Sequence, residues 1–376
     1  MSLDRLADTF IRDALPLWAS VGFDEDAGQF MEALSLDGGP DTTGIVRTRT
    51  AARVIYVFAH ATVTGHAPAN ALGKAERAFH NLHATAWIDG DEPGYARAID
   101  RRAGAVVDPI RDLYDHACVL LAQAWLLKAT GDPAYRTGIE RTLGVIDRTL
   151  AAPAGGWAED HLGTTPRRQN PHMHLFEACL ALSAITGDPR HVARAGELFG
   201  SFRTTFFDER IGTIREFFGP RWEIGADFGS DRLDPGHMAE WVWLIRRYAA
   251  WADAPADDLC PALLEAAERL GRRDGSPFLV LEVDTAGRSV NETRRLWSQV
   301  ELIKAHLAQY RATGDRNHRE AAEDFAGALL ATYLADTPPG TWRDAFDADG
   351  NAIATTVPAS SLYHLWTLIA EIVAGD

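Results

Sequence analysis

Six positions in this chain carry side chains that can move protons, steady an oxyanion or cover a flat ring face. They are Arg53, Tyr114, His174, His237, Trp297 and His364, spaced 60 to 67 residues apart. Each stands at or near the start of a helix-patterned segment. An imidazole, with an ordinary pKa of about 6.5, both accepts and donates protons near neutrality. Around these positions His174 and Glu177 lie three apart, as do His237 and Glu240, while Trp297 and Glu301 lie four apart. Residues so spaced share a helix face. A Glu beside a His is expected to fix the imidazole tautomer, and His237 with Glu240 is the pair in question. Each residue alone has an ordinary reading: a helix-start His as a cap, Trp297 as core, Arg53 as half of an ion pair. The shared phase across six units is what sets them apart. A face of His, Glu, Trp and Arg turned inward is costly in a pure core. It suits a wet pocket for a sugar, with polar groups for hydroxyls and tryptophan for the apolar ring face.

The elements that position these residues are helical. The periodicity predicts amphipathic helices near 3–20, 45–63, 70–87, 111–130, 134–151, 172–186, 189–206, 237–252, 257–271, 294–312, 316–333 and 359–374. The stretch 278–283, Phe-Leu-Val-Leu-Glu-Val, reads as a short strand. Helix ends repeat: Thr64-Gly65, Thr130-Gly131-Asp132-Pro133, Thr186-Gly187-Asp188-Pro189 and Thr313-Gly314-Asp315. Gly past a helix end followed by Pro is stop chemistry. A second series, Gly28, Gly94, Gly156, Gly212, Gly275 and Gly340, is followed within three positions by Phe30, Tyr95, Trp157, Ile214, Phe278 and Trp342. Six two-helix units therefore account for residues 1–376 as one catalytic domain. An open solenoid needs polar capping units, and the first and last helices here are amphipathic, which favours closure. The expected fold is all-α, an (α/α)6 barrel of six helical hairpins with short β-hairpins in the mouth loops. Equivalent positions on its six inner helices then converge at one end.

Composition excludes several classes. The formal net charge of −16 disfavours nucleic acid and anionic membranes as partners. Cys118, Cys179 and Cys260 are sparse and scattered, which is neither a disulfide framework nor a zinc site and fits a cytoplasmic location. No signal peptide and no membrane span are expected. His172-Met173-His174 and the two His-x-x-Glu pairs hint at metal without a full ligand signature, so no metal is expected. Asp344 to Asn351 lacks the terminal Glu of a calcium loop and reads as a polar turn. No phosphate loop, dinucleotide fingerprint or Gly-x-Ser-x-Gly elbow occurs. The pairs Arg167-Arg168, Arg272-Arg273 and Arg294-Arg295 read as solvated faces.

Six motifs, in order, resemble the N-acylglucosamine 2-epimerase family. They are Ala52-Arg53; Tyr114-Asp115-His116-Ala117; Asn170-Pro171-His172-Met173-His174-Leu175-Phe176-Glu177-Ala178; Pro235-Gly236-His237-Met238-Ala239-Glu240-Trp241; Leu296-Trp297-Ser298-Gln299-Val300-Glu301; and Pro358-Ala359-Ser360-Ser361-Leu362-Tyr363-His364. The resemblance implies the same barrel and no cofactor. It implies His237 and His364 as acid/base residues, and Arg53 near the reacting C1–C2 region. Tyr114, Asn170 and His174 are implied as substrate contacts, Glu240 as an orienting carboxylate and Trp297 as a stacking platform. Cellobiose epimerases of the family carry two adjacent tryptophans where this chain has Leu296-Trp297. That departure resembles the monosaccharide isomerase branch.

The expected reaction is interconversion of an aldose and a ketose, of mannose/fructose type, through an enediolate. His364 takes the C2 proton and His237 handles ring opening, with Arg53 on the enediolate oxygen. Glu301 joins Glu240 and Trp297 as an expected substrate contact. The alternatives are a 2-epimerase acting on N-acylglucosamine or cellobiose, a mannose-6-phosphate isomerase, and an inverting glycoside hydrolase. The hydrolase would use Glu240 and Glu301 set roughly 6.5–9.5 Å apart. A non-catalytic sugar-binding protein would keep Trp297 and Arg53 without needing two imidazoles. The expected partner is a small sugar, and the protein a monomer or homodimer.

Overall fold

The sequence Thr-Gly-Asp ends three helices in the same way. In the computed structural model, which describes residues 1–375, Gly131, Gly187 and Gly314 adopt φ of 71°, 66° and 72°. The Asp that follows accepts a hydrogen bond from the backbone N–H two residues on, at Ala134, Arg190 and Asn317. One glycine thus stops a helix and one aspartate starts the next, so the chain reverses in two residues.

Twelve helices follow in chain order among the described residues: α1 (2–20), α2 (Thr48–Val63), α3 (Ala71–Ala86), α4 (Leu113–Thr130), α5 (Pro133–Thr149), α6 (Asn170–Thr186), α7 (189–206), α8 (Pro235–Ala249), α9 (Ala256–Gly271), α10 (Leu296–Thr313), α11 (Arg316–Thr332) and α12 (Ala359–Ala374). Single π turns interrupt α1 at Phe10–Ala14 and end α7 at Phe202–Phe206. The even-numbered helices form an inner ring and the odd-numbered an outer one. α12 packs on α2, which closes the inner ring. This is the (α/α)6 barrel that the repeat implies.

The inner helices are not amphipathic as the periodicity predicts. α4 and α6 are buried on nearly every face, because each meets inner neighbours on both sides, an outer helix behind and the barrel axis in front. The outer helices keep one apolar stripe, as in α3, which buries Ala71, Ala75, Ala78, Phe79, Leu82 and Ala86. α2 begins at Thr48 instead of 45 because Ile45–Arg47 is a strand.

All the strands among the described residues lie in the long outer-to-inner connections; some form hairpins within one connection and others pair between units. Ile45–Arg47 pairs with Ala98–Asp100, Arg167–Arg168 with Phe217–Phe218, Arg232–Leu233 with Val283–Asp284, and Arg294–Arg295 with Ala345–Phe346. A single bridge joins Asp112 to Asp160, and Val357–Pro358 pairs with Ala33–Leu34. Every unit is thereby joined to the next in a β collar around one end. Of the expected strand at 278–283 only residues 282 and 283 are extended, in a strand Glu282–Asp284, because Phe278, Leu279 and Val280 turn into the core instead. The six glycines of the second series all have positive φ, and the residues that follow them are buried under the collar. No helix among the described residues is long and apolar enough to cross a membrane.

Candidate active site

Inside the collar lies a cavity of about 220 Å³. The six ring positions all line it: Arg53, Tyr114, His174, His237, Trp297 and His364. Asn170 and Glu240 line it as well. Arg295, Ser360 and Ser361 complete the wall, and spacing gave no sign of them. Glu301 does not line it; it lies fully buried behind His364.

His237 enters from the first turn of α8. Asp234 caps that helix by accepting from the N–H groups of Gly236 and His237, and Pro235 opens it. At Gly236 a Cβ would come within 2.7 Å of the Trp297 ring, so glycine lets α10 approach and seat the indole against the imidazole. The partner of His237 Nδ1 is Glu216 Oε2 at 2.9 Å, not the Glu240 expected from helix spacing. Asp234 Oδ2 lies 3.6 Å away. Gln169 Nε2 donates to both oxygens of Glu216, and Gln169 Oε1 accepts from Trp241 Nε1 at 2.8 Å. Burial alone would discharge this ring, but Glu216 and then Asp234 outweigh it, and the pKa is pushed up to about 10. Asn170 Nδ2 sits 2.7 Å from His237 Nε2. Once the ring is charged, both nitrogens donate and the Asn170 amide meets it through Oδ1.

His364 comes from the second turn of α12. Its Nδ1 lies 2.7 Å from Glu301 Oε1. Glu301 is in turn held by Lys304, whose Nζ is 2.9 and 2.7 Å from the two carboxylate oxygens and 3.1 Å from Thr367 Oγ1. Burial, followed by the positive charges of Arg53 and Lys304, holds the His364 pKa well below its ordinary value. With Nδ1–H donated to Glu301, the neutral ring keeps the Nε2 lone pair free. Trp297 stands between the two histidines, with ring centroids 5.1 Å from His237 and 5.4 Å from His364.

Arg53 closes the floor. Its Nη2 donates to the Tyr114 hydroxyl at 2.6 Å and lies 3.0 Å from His174 Nε2. The guanidinium sits 4.3 Å from the Tyr363 ring centroid and 5.0 Å from that of Tyr114. It forms no ion pair with a carboxylate among the described residues, so its charge is available to an oxyanion in the cavity. His174 Nδ1 lies 3.1 Å from Glu177, which also accepts from Tyr363. Burial and then Arg53 push the His174 pKa down to about 3, so this ring is neutral.

Glu240, Glu301 and His364 bring ligand atoms within 4.8 Å of one another, the spacing of a metal site. Lys304 already supplies the cation on Glu301. His172 faces away from the cavity against Trp157, Phe206 and Trp222, so the His172–His174 pair does not converge. Glu240 and Glu301, within 4.8 Å of each other, also stand closer than the roughly 6.5–9.5 Å of an inverting hydrolase's carboxylates.

Residues 28–367 match the profile of N-acylglucosamine 2-epimerase (GlcNAc 2-epimerase). The chain belongs to the N-acylglucosamine 2-epimerase family. It is 32% identical over 377 residues to a protein of Rhizobium meliloti (strain 1021) named mannose-6-phosphate isomerase, covering 96% of this chain and 93% of that one. It is 30% identical over 331 residues to a D-mannose isomerase of Thermobifida fusca, covering 82% and 79%. A solved structure described as D-mannose isomerase superposes with a TM-score of 0.87 at 18% identity, covering 98% of this chain and 97% of that chain. Family membership makes this chain a carbohydrate isomerase or epimerase.

Proposed function

We propose that the protein interconverts an unphosphorylated aldohexose of the mannose type and its ketose. The observation that carries this reading is the pair of histidines on either side of Trp297, His237 resting on Glu216 and Asp234 and His364 on a Glu301 already held by Lys304, surroundings that drive their pKa values in opposite directions. Two groups whose surroundings drive their pKa values apart mark the acid and the base. His237, as imidazolium, delivers a proton to the ring oxygen and takes up the proton of the C1 hydroxyl as the ring opens to the aldehyde. His364, as neutral imidazole, takes the C2 proton. Arg53 stabilises the enediolate oxygen, and returning the proton to C1 gives the ketose. Relatives named for mannose and for mannose 6-phosphate fit the hexose.

The mouth argues for a sugar without phosphate. Its arginines are matched to carboxylates: Arg295 to Asp344 at 2.7 Å, Arg49 to Asp115 and Asp112 at 3.5 and 3.7 Å, and Arg168 to Glu159. A phosphate dianion wants uncompensated guanidinium groups. At about 220 Å³ the cavity lies below the range of roughly 300–1,000 Å³ for larger ligands, which suits one sugar ring better than two. Three buried free thiols suit work in the cytoplasm.

The test is a panel of mannose, lyxose, glucose, N-acetylglucosamine, mannose 6-phosphate and cellobiose, with products resolved by NMR. Fructose from mannose is expected, with solvent deuterium at C1 when the reaction runs in D2O. Glucose as the sole product from mannose assigns 2-epimerisation instead. Faster turnover of mannose 6-phosphate than of mannose refutes the unphosphorylated substrate.

A further inference from the structure

Moving a carbon-bound proton from C2 to C1 is only half of an aldose–ketose isomerisation. A hydroxyl proton must also leave O2, which becomes a carbonyl oxygen, and one must arrive at O1, which becomes a hydroxyl. A 2-epimerase has no such need, because its C1 carbonyl returns as a carbonyl. The two histidines do not account for this second transfer.

Glu240 stands where it is needed. It is fully buried and lines the cavity, and neither carboxyl oxygen has a hydrogen-bond partner among the described residues. It reaches within 4.8 Å of Glu301 and of His364. Two carboxylates this close and this buried do not both ionise. Lys304, itself fully buried, contacts both oxygens of Glu301, and its Nζ lies 3.7 Å from the Trp243 ring centroid. No ion pair joins it to Glu240 among the described residues. The other ionisable groups facing Glu240 are His237, Glu177, Arg53, Tyr114, Tyr363 and His174, whose Nε2 is 4.0 Å away.

We infer that Lys304 places the one proton of this glutamate pair on Glu240, and that the neutral Glu240 carboxyl relays the hydroxyl proton from O2 to O1 of the sugar. Burial raises both carboxyls and Lys304 opposes the rise at both, but Lys304 touches only Glu301, and the Glu301 charge adds to the rise at Glu240. The relay balances. As His364 takes the proton from C2, the C–H electrons form the C1–C2 double bond and the carbonyl π electrons settle on O1 beside Arg53; the enediolate O1 then takes the Glu240 proton. The Glu240 carboxylate then takes the O2 proton while C2–O2 becomes a carbonyl. The double-bond electrons take the proton back from the His364 imidazolium at C1. Both residues end as they began. Lys304 touches no substrate and is a positioning residue.

This inference rests on the aldose–ketose reading, and one experiment separates the two. Mannose is incubated in D2O with wild type and with Glu240→Gln, and deuterium at C2 of recovered mannose is followed beside ketose formation. The expected result is exchange at C2 within about tenfold of wild type but ketose formation lowered by about 10²-fold or more. Equal loss of both, or ketose formation within threefold of wild type, overturns the relay. Wild type that yields only the 2-epimer overturns the isomerase reading and the relay with it. An infrared difference spectrum, wild type minus Glu240→Gln, tests the proton's place without turnover. Loss of a protonated-carboxyl band is expected, and loss of a carboxylate band overturns the assignment. Lys304→Met, if it folds, is expected to protonate Glu301 and slow exchange at C2 as well as ketose formation; exchange at the wild-type rate overturns the role of Lys304.

Discussion

His237 and His364 face the same indole, yet opposite neighbourhoods hold them. His237 has carboxylates on its Nδ1 side, Glu216 at 2.9 Å and Asp234 at 3.6 Å, and no lysine or arginine holds Glu216 within ion-pair distance among the described residues. His364 also rests on a carboxylate, Glu301, but Lys304 compensates that charge. A carboxylate in contact therefore does not by itself charge a histidine. What matters is whether a second cation has already claimed it. The difference turns one imidazole into an acid and the other into a base.

Removing the base should cost most. His364→Ala is expected to lower kcat by about 10⁴-fold and to abolish deuterium exchange at C2. Unimpaired turnover of this variant would remove His364 from the mechanism. His237→Ala should cost less, about 10²-fold, because a free sugar opens unaided to a small extent. If the loss lies in ring opening, the variant should still exchange the C2 proton of the open-chain fraction.

The neighbours come next. Glu216→Gln removes the charge that holds His237 protonated, so the basic limb of kcat/KM should move down from near pH 10 toward neutrality. At pH 8 a loss of about tenfold is expected. The acidic limb, set by a His364 pKa well below 6.5, should stay where it is. A basic limb unmoved by this substitution would break the comparison.

The smallest effect is on stability, and its sign differs at the two residues. His237 has a raised folded-state pKa, so its contribution is full below its ordinary value of 6.5 and is lost as pH rises through about 10. His364 has a lowered one, so its contribution is present above 6.5 and is lost as pH falls toward its folded value. Melting curves of Glu216→Gln and wild type should converge at pH 10 and separate at pH 7, by a few degrees.

The six ring positions were legible because each unit repeats, so one phase fixed by six residues survives irregularity in any of them. The closed barrel was legible for the same reason. Glu216 was not, because it reaches His237 from a collar segment 21 residues upstream, where helix-face spacing carries no information. Glu240 was read as the partner of His237 from a spacing that does put both on the cavity side of α8, but its carboxyl makes no hydrogen bond to that imidazole and lies within 4.8 Å of Glu301 and His364. Lys304 stands three residues after Glu301 in plain sight. Its meaning depends on burial, which only the assembled barrel supplies. Arg295 looked like half of a solvated pair, and the collar strand 294–295 turns it into the wall of the cavity.

The collar joins unit to unit through peptide groups, which are the same whatever side chain a residue bears. Its hydrogen bonds therefore place few demands on the identity of the residues that make them. Side chains on the cavity side of those strands can change without disturbing the ladder or the inner helices that carry the histidines. The barrel separates what must stay fixed for proton transfer from what can vary to admit a different sugar.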